Sequence, residues 1–80
     1  MSDTVEQRTC RLVAEVLGLP ADQVTRATSH ETIDNWDSLN LLNILMAVEG
    51  EFGVSVSPEE AADFVSVERI VTVLASKGVS

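Results

Sequence analysis

The chain has 80 residues, a formal net charge of −8, 45% hydrophobic residues and one cysteine. A chain of this length forms one small domain, so we expect a single domain over residues 1–80. The apolar content is sufficient for a globular core and excludes an intrinsically disordered chain. Cys10 alone forms neither an internal disulfide nor a multi-cysteine metal site. The negative charge disfavours nucleic acid and anionic membranes as partners.

The sequence has no apolar run of about 18 residues and no basic segment preceding an apolar block. We therefore expect a cytoplasmic protein without membrane insertion. The charge is also unevenly placed, because the stretch from Ala27 to Glu68 contains Asp and Glu residues but no Lys or Arg. Such an acidic field either solvates the surface or steers the protein toward basic surfaces of other proteins.

The N-terminal segment predicts a first helix over Asp3–Leu17. Thr4 and Gln7 fit a capping box, and a weaker alternative box begins one residue earlier. Apolar residues follow at helical rather than strand spacing. Gly18 and Pro20 then predict the end of the helix.

A long connection over Leu19–Trp36 follows, without a sustained hydrophobic period. One helical turn is possible at Ala21–Val24. Long connections in small domains are commonly functional or disordered. We expect Ile33 and Trp36 to anchor this one in the core, with Trp36 beside the start of the next helix. His30, the only histidine, is expected to be solvated.

The second predicted helix, Ser38–Phe52, has two distinct faces. One apolar stripe is expected to face the core and consists of Leu41, Ile44, Leu45, Val48 and Phe52. The nearly opposite face carries Leu39, Asn43, Met46 and Gly50. Its two apolar residues predict either ordinary isolated exposure or a docking surface for another protein.

The start of this helix, Asp37-Ser38-Leu39, permits two interpretations. Asp and Ser are both common N-caps, so either residue could serve only to begin the helix. A helix N-terminus also stabilises a phosphate group through its exposed N–H donors and partial positive charge. Ser38 is therefore well placed to carry a phosphate ester.

The C-terminal third predicts two further helices. Ser57–Glu60 forms a capping box with a proline at the first helical position and begins a short helix ending near Phe64. Ser66 caps a last helix that ends at Ser76 or Lys77. The complete prediction is an all-α, small four-helix bundle with three main helices, a short third helix and a long loop between the first and second.

The order of these elements and their amino-acid sequences resemble the acyl carrier protein family over essentially the whole chain. The resemblance rests on several blocks in register: Leu17-Gly18-Leu19, Val24-Thr25, Trp36-Asp37-Ser38-Leu39, Glu49-Gly50-Glu51-Phe52-Gly53-Val54, Ser57-Pro58-Glu59-Glu60-Ala61 and Ser66-Val67. The Asp-Ser-Leu triplet alone is a weak signal, whereas the triplet in register with the other blocks is a strong one.

The resemblance implies that Ser38 is the attachment point of 4′-phosphopantetheine, transferred from coenzyme A by a separate phosphopantetheinyl transferase. The thiol of this arm would hold acyl groups as thioesters, and the protein itself would be a non-catalytic, monomeric carrier. Its partners would be the transferase and acyl-handling enzymes such as ketosynthases or acyltransferases. The implied partner-binding residues are Asp37, Leu39, Met46, Glu49 and Gly50.

Some positions depart from the resemblance. Asn40, Asn43 and Gly50 stand where carriers of fatty acid synthesis commonly have acids. These departures favour a specialised, free-standing carrier, of polyketide or other secondary metabolism or of surface-polymer assembly, over a housekeeping role in fatty acid biosynthesis. Two alternatives stay open: an aminoacyl or D-alanyl carrier, and an unmodified acidic helical adaptor in which Ser38 is only a cap.

Overall fold

The computed structural model describes residues 4–79 and contains four α-helices in this range. They are α1 (Val5–Leu17), α2 (Ser38–Phe52), α3 (Pro58–Ala61) and α4 (Val67–Ser76), with a single 3₁₀ turn at Ala21–Gln23. Pairing of extended backbone within residues 4–79 is limited to one isolated antiparallel bridge, Ser29–Ser66. The predicted all-α bundle, with its short third helix and long first loop, is confirmed.

Helix α1 begins with the predicted Thr4–Gln7 capping box. The Thr4 hydroxyl accepts from the Gln7 N–H at 3.1 Å, and the Gln7 side chain accepts from the Thr4 N–H at 3.0 Å. Because Thr4 has extended backbone, the helix begins at Val5 and not at Asp3 as predicted. Asp3 itself lies outside the described residues. Gly18 ends the helix with φ 71°, in the left-handed region that favours glycine.

Helix α3 is shorter than predicted and ends at Ala61, not near Phe64. Its capping box is confirmed, but the chain then tightens, since the N–H groups of Asp63 and Phe64 bond to carbonyls three residues back, both at 3.0 Å. Such tightening is common at helix ends. It turns Phe64 fully into the core, with no exposed surface.

The core lies between α1, α2 and α4. Its fully buried members include Val13, Ile44, Val48, Ile70 and Leu74. The remaining residues of the predicted core stripe of α2, Leu41, Leu45 and Phe52, are partly buried and pack against this cluster. The predicted orientation of α2 is therefore confirmed.

The long loop is held against the α3–α4 connection. Trp36 is buried and donates its indole N–H to the Phe64 carbonyl at 3.1 Å. The His30 N–H donates to the Val65 carbonyl at 2.9 Å. Ile33 packs against the core as predicted. These contacts place the start of α2 beside the α3–α4 connection.

Candidate functional site

The start of α2 divides two roles between neighbouring residues. Asp37 is the N-cap, with extended backbone, and its Oδ1 accepts from the Asn40 N–H at 3.0 Å. Its carbonyl accepts from the Leu41 N–H at 2.8 Å. Ser38 is the first helical residue. The capping function that the sequence left open between the two residues therefore belongs to Asp37.

The Ser38 side chain is exposed, and its hydroxyl makes no hydrogen bond to any residue from 4 to 79. Ser57 and Ser66, by contrast, cap α3 and α4 with their side-chain oxygens. Ser55 is also exposed, but it lies in a loop rather than at a helix start. The first N–H groups of α2, at Ser38 and Leu39, have no intrahelical acceptor and carry partial positive charge. A phosphate ester on Ser38 would be stabilised by these donors.

A pocket of about 220 Å³ lies beside Ser38. Its walls come from the long loop, the first turn of α2 and the segment after α3: His30, Trp36, Asp37, Ser38, Leu41, Phe64 and Val65. His30 is exposed, as predicted, but also lines this pocket. No local signal in the sequence indicates that His30, Phe64 and Val65 line this pocket, because only the pairing of the loop with the α3–α4 connection brings them there.

A larger groove of about 490 Å³ lies elsewhere, between α1 and α2. It is lined by Leu12 and Val16 of α1 and by Ala47 and Gly50 of α2, with acidic side chains at its edge. Ser38 does not line this groove. The small pocket, and not the large groove, is therefore the one associated with the serine.

The outer face of α2 carries an apolar stripe, defined here as Leu39, Leu42 and Met46. These side chains are 69%, 56% and 68% exposed. The predicted exposure of Leu39 and Met46 is confirmed. Leu42 was missed, because the helical-wheel interpretation assigned it to neither face. Gly50 is also exposed, with helical backbone.

The two acids of α2 are bound within the domain. Glu49 Oε2 accepts from the Val56 N–H at 2.8 Å, which holds the segment after the helix. Glu51 forms an ion pair with Arg8 at 2.8 Å. Partner contact by Glu49 stays a prediction, and the structure adds a second, internal function for its carboxylate.

Perturbed ionisable groups lie away from this site. Burial, with a smaller contribution from the Glu6 carboxylate, raises the pKa of the Cys10 thiol. The hydrogen bond that the Arg26 guanidinium donates to the Glu6 carboxylate raises the pKa of Arg26. Within residues 4–79, no group of three or more His, Cys, Asp or Glu side chains is arranged to hold a metal ion.

The sequence matches the PP-binding family, the phosphopantetheine attachment site, over residues 7–74. The chain therefore belongs to this family of phosphopantetheine carrier proteins, which includes acyl carrier proteins. Covalently attached 4′-phosphopantetheine is the cofactor of the family. Its members are generally non-catalytic and work with phosphopantetheinyl transferases and acyl-handling enzymes. No helix in residues 4–79 has the length and apolar character needed to cross a bilayer.

Proposed function

We propose that Ser38 carries the 4′-phosphopantetheine arm and that the protein presents acyl groups, held as thioesters, to partner enzymes. The observation that carries this proposal is the free Ser38 hydroxyl at the first residue of α2. Since Asp37 caps the helix through the Asn40 N–H, modification of Ser38 removes no hydrogen bond on which α2 depends.

The surroundings of Ser38 fit a phosphodiester with an apolar arm. The first N–H groups of α2 supply donors and positive potential for the phosphate. The adjoining pocket offers apolar walls at Leu41, Phe64 and Val65. When bound, the cofactor supplies the thiol that forms the thioester. The protein supplies position, a surface for partners and partial shelter from water.

The transfer reaction needs a separate enzyme. A phosphopantetheinyl transferase would move the phosphopantetheinyl group of coenzyme A to the Ser38 oxygen, releasing adenosine 3′,5′-bisphosphate. The exposed hydroxyl makes Ser38 accessible to that enzyme. The described residues offer a single histidine, no metal-ligand cluster and one cysteine whose thiol pKa is raised, which fits a carrier acted on by other enzymes.

Acyl cargo is favoured over aminoacyl cargo by Asp37, because aminoacyl and peptidyl carriers more often have glycines ahead of the serine. The apolar walls of the pocket beside Ser38 also favour acyl cargo. A specialised pathway is favoured by the neutral residues Asn40 and Asn43 on α2. Asn40 donates to the Asn35 carbonyl at 2.6 Å, and Asn43 donates to Asn40 Oδ1 at 3.2 Å. Both contacts use an amide N–H as the donor, which a carboxylate lacks. Intact-protein mass spectrometry of the protein from its native host would identify the cargo and separate acyl from aminoacyl carriers.

Ser38→Ala tests the attachment site. Incubation of the wild-type protein with coenzyme A, Mg²⁺ and a broad-specificity transferase is expected to add one phosphopantetheinyl group, visible by intact-protein mass spectrometry. Ser38→Ala should show no addition. Its free energy of unfolding should change by less than about 0.5 kcal/mol, because the residue is exposed and does not cap the helix.

Ser55→Ala is the matched control, since Ser55 is the other exposed serine among residues 4–79 whose hydroxyl neither donates nor accepts a hydrogen bond. It should be modified like the wild type. Addition to Ser38→Ala would place the attachment site elsewhere. A wild-type protein that several transferases leave unmodified would instead support the unmodified adaptor.

A further inference from the structure

We infer that the imidazole of His30 donates a hydrogen bond to the phosphodiester of the arm and so holds the arm against the pocket beside Ser38. This inference rests on the proposed function, because it concerns the arm that Ser38 would carry. It goes beyond that function by assigning a positioning role to a residue of the long loop, outside the helix that bears the serine.

The backbone around His30 is fixed by pairing with the α3–α4 connection. The His30 N–H donates to the Val65 carbonyl at 2.9 Å, and the Val67 N–H donates to the Thr28 carbonyl at 3.0 Å. These two bonds form the isolated antiparallel bridge between the loop and the N-cap of α4. Neither bond uses the His30 side chain, so the position of this residue does not depend on its imidazole.

The same connection brings His30 to the pocket. The Trp36 indole N–H donates to the Phe64 carbonyl at 3.1 Å, and the acceptor of the His30 N–H is the next residue, Val65. Consecutive α-carbons are about 3.8 Å apart. The two bonds therefore place the backbone of His30 near Trp36 and the first turn of α2. His30 and Ser38 accordingly line the same pocket.

The His30 imidazole is the one uncommitted side-chain donor that lines this pocket among residues 4–79. It makes no hydrogen bond to another residue in that range. The Trp36 indole N–H is already bound to a backbone carbonyl. The Ser38 hydroxyl is the proposed attachment point, and the Asp37 side chain acts as an acceptor. The remaining lining residues are apolar. An imidazole, in contrast, offers an N–H donor whether it is neutral or charged.

The charge around Ser38 gives this donor its importance. A phosphodiester is an anion, and it would lie beside Asp37 in the stretch from Ala27 to Glu68, which has no Lys or Arg. The first N–H groups of α2 offset part of the repulsion. Because a hydrogen bond to an anionic oxygen is stronger than a neutral one, a bond from His30 offsets a further part.

The other walls of the pocket fit the part of the arm that follows the phosphate. Next to its phosphate, phosphopantetheine has a carbon atom that carries two methyl groups. The side chains of Leu41, Phe64 and Val65 supply apolar surface within the same pocket. With the phosphate held by His30, these methyl groups lie against the apolar walls and are removed from water.

The test uses two NMR signals that each have a single source. The chain has one histidine, and the phosphopantetheinylated protein has one phosphorus atom. The imidazole nitrogen signals of the wild type are compared before and after attachment of an arm without cargo. We expect these signals to shift on attachment, because an imidazole N–H gains a charged acceptor.

Two variants at the same position separate the hydrogen bond from the ring. His30→Phe keeps an aromatic ring without a donor, and His30→Gln keeps an N–H donor without the ring. The phosphorus signal of the modified protein should shift in His30→Phe and stay close to the wild type in His30→Gln. Glu31→Gln, at an exposed neighbouring position that does not line the pocket, is the control and should leave the signal unchanged.

Thermal melts of the unmodified and modified proteins give an independent measurement. Attachment of the arm should raise the melting temperature of the wild type by about 4 °C more than that of His30→Phe, which is the shift expected from one net hydrogen bond in a small domain. The unmodified His30 variants should melt with the wild type, because the imidazole is exposed and makes no hydrogen bond within residues 4–79.

Three results would overturn this inference while leaving attachment at Ser38 intact. The first is a set of imidazole signals that is the same before and after attachment, which would show a solvated histidine; this comparison needs no variant. The second is a phosphorus signal that shifts in His30→Gln but not in His30→Phe, which would show contact with the ring and not a hydrogen bond. The third is an equal gain in melting temperature for the wild type and His30→Phe. A wild-type protein that no transferase modifies would overturn the proposed function instead.

Discussion

At the residue scale, Asp37 caps α2 and leaves the Ser38 hydroxyl without a structural hydrogen bond. A serine that also capped α2 would lose its hydrogen bond on modification, with a destabilisation of about 0.5–2 kcal/mol. Because the Asp37 carboxylate accepts from the Asn40 N–H, the modified and unmodified forms can share the same helix start. We expect α2 to begin at the same residue in both forms.

Met46→Ala tests the orientation of α2, and Ile44→Ala is its matched control. Met46 is 68% exposed and Ile44 is fully buried. Truncating a buried Ile or Met to Ala costs about 2–5 kcal/mol, so Ile44→Ala should show a loss in this range. Met46→Ala should cost well below 1 kcal/mol, measured by denaturant titration. Equal losses at the two positions would mean that the helix is rotated relative to this structure.

At the scale of elements, α2 is a regular helix that tolerates a glycine near its end. Gly50 has helical backbone, and a methyl group added there would have nothing within 4 Å apart from the adjoining backbone of its own helix. The glycine is therefore required neither by backbone conformation nor by close packing within the domain. It opens the groove between α1 and α2, which Gly50 lines.

Gly50→Ala should stabilise the protein by up to about 1 kcal/mol, because glycine inside a helix is less favourable than alanine by about that amount. Gly53→Ala is the control with the opposite sign. Gly53 ends α2 with φ 65°, where a side chain costs roughly 1–2 kcal/mol. Thermal melts of both variants would check this pair, and destabilisation by Gly50→Ala would contradict the regular helix seen at this position.

The elements whose ends were predicted are those with local signals. Both ends of α2 were predicted from the Asp37-Ser38 start and the helical spacing of apolar residues up to Phe52, which are signals within the segment itself. The end of α3 could not be predicted this way, because it depends on the burial of Phe64 against distant parts of the chain. Which of Asp37 and Ser38 caps α2 was also beyond the sequence, because both side chains are competent caps.

The candidate site shows the same limit. The position of Ser38 at the first residue of α2 and the exposure of Leu39 and Met46 could be predicted from the cap residues and the helical spacing. The pocket could not, because the contacts that form it join residues far apart in the chain, such as the His30 N–H and the Val65 carbonyl.

At the scale of the whole molecule, ion pairs connect separate segments of the chain. Arg8 of α1 pairs with Glu51 of α2 and lies 4.6 Å from the centre of the Phe52 ring. Lys77 follows α4 and pairs with Glu60 of α3 at 2.8 Å. Exposed pairs of this kind each contribute little to stability. The excess of acids still sets the long-range electrostatic field of the molecule. The apolar stripe of α2, which begins next to Ser38, is by contrast uncharged.

Glu60→Gln should reveal the pH dependence of the contribution that the Glu60–Lys77 ion pair makes to stability. The hydrogen bond from Lys77, with further bonds from Ser57, holds the pKa of Glu60 below its ordinary value of 4.5. Since the folded-state pKa is the lower one, the contribution of this carboxylate is complete above pH 4.5 and is lost as pH falls through the folded-state value. The variant should therefore melt below the wild type near neutral pH, with the difference closing as pH falls below that ordinary value.

Glu59→Gln is the control, because Glu59 is an exposed acid on the same short helix, without an ion pair among residues 4–79. Its melting temperature should follow the wild type across the whole range. A Glu60→Gln difference that is independent of pH would show that the Lys77 contact does not depend on the carboxylate charge.

The buried indole of Trp36 gives the molecule a built-in optical reporter. The chain has one tryptophan and no tyrosine, so its near-ultraviolet emission has essentially one source. That source lines the pocket beside Ser38 and is bound to the Phe64 carbonyl. Under the proposed function, occupation of the pocket by the phosphopantetheine arm or its cargo would change the surroundings of this single fluorophore. Loading and unloading of the unlabelled protein should then be measurable in real time as a change in the quantum yield or emission wavelength of one side chain.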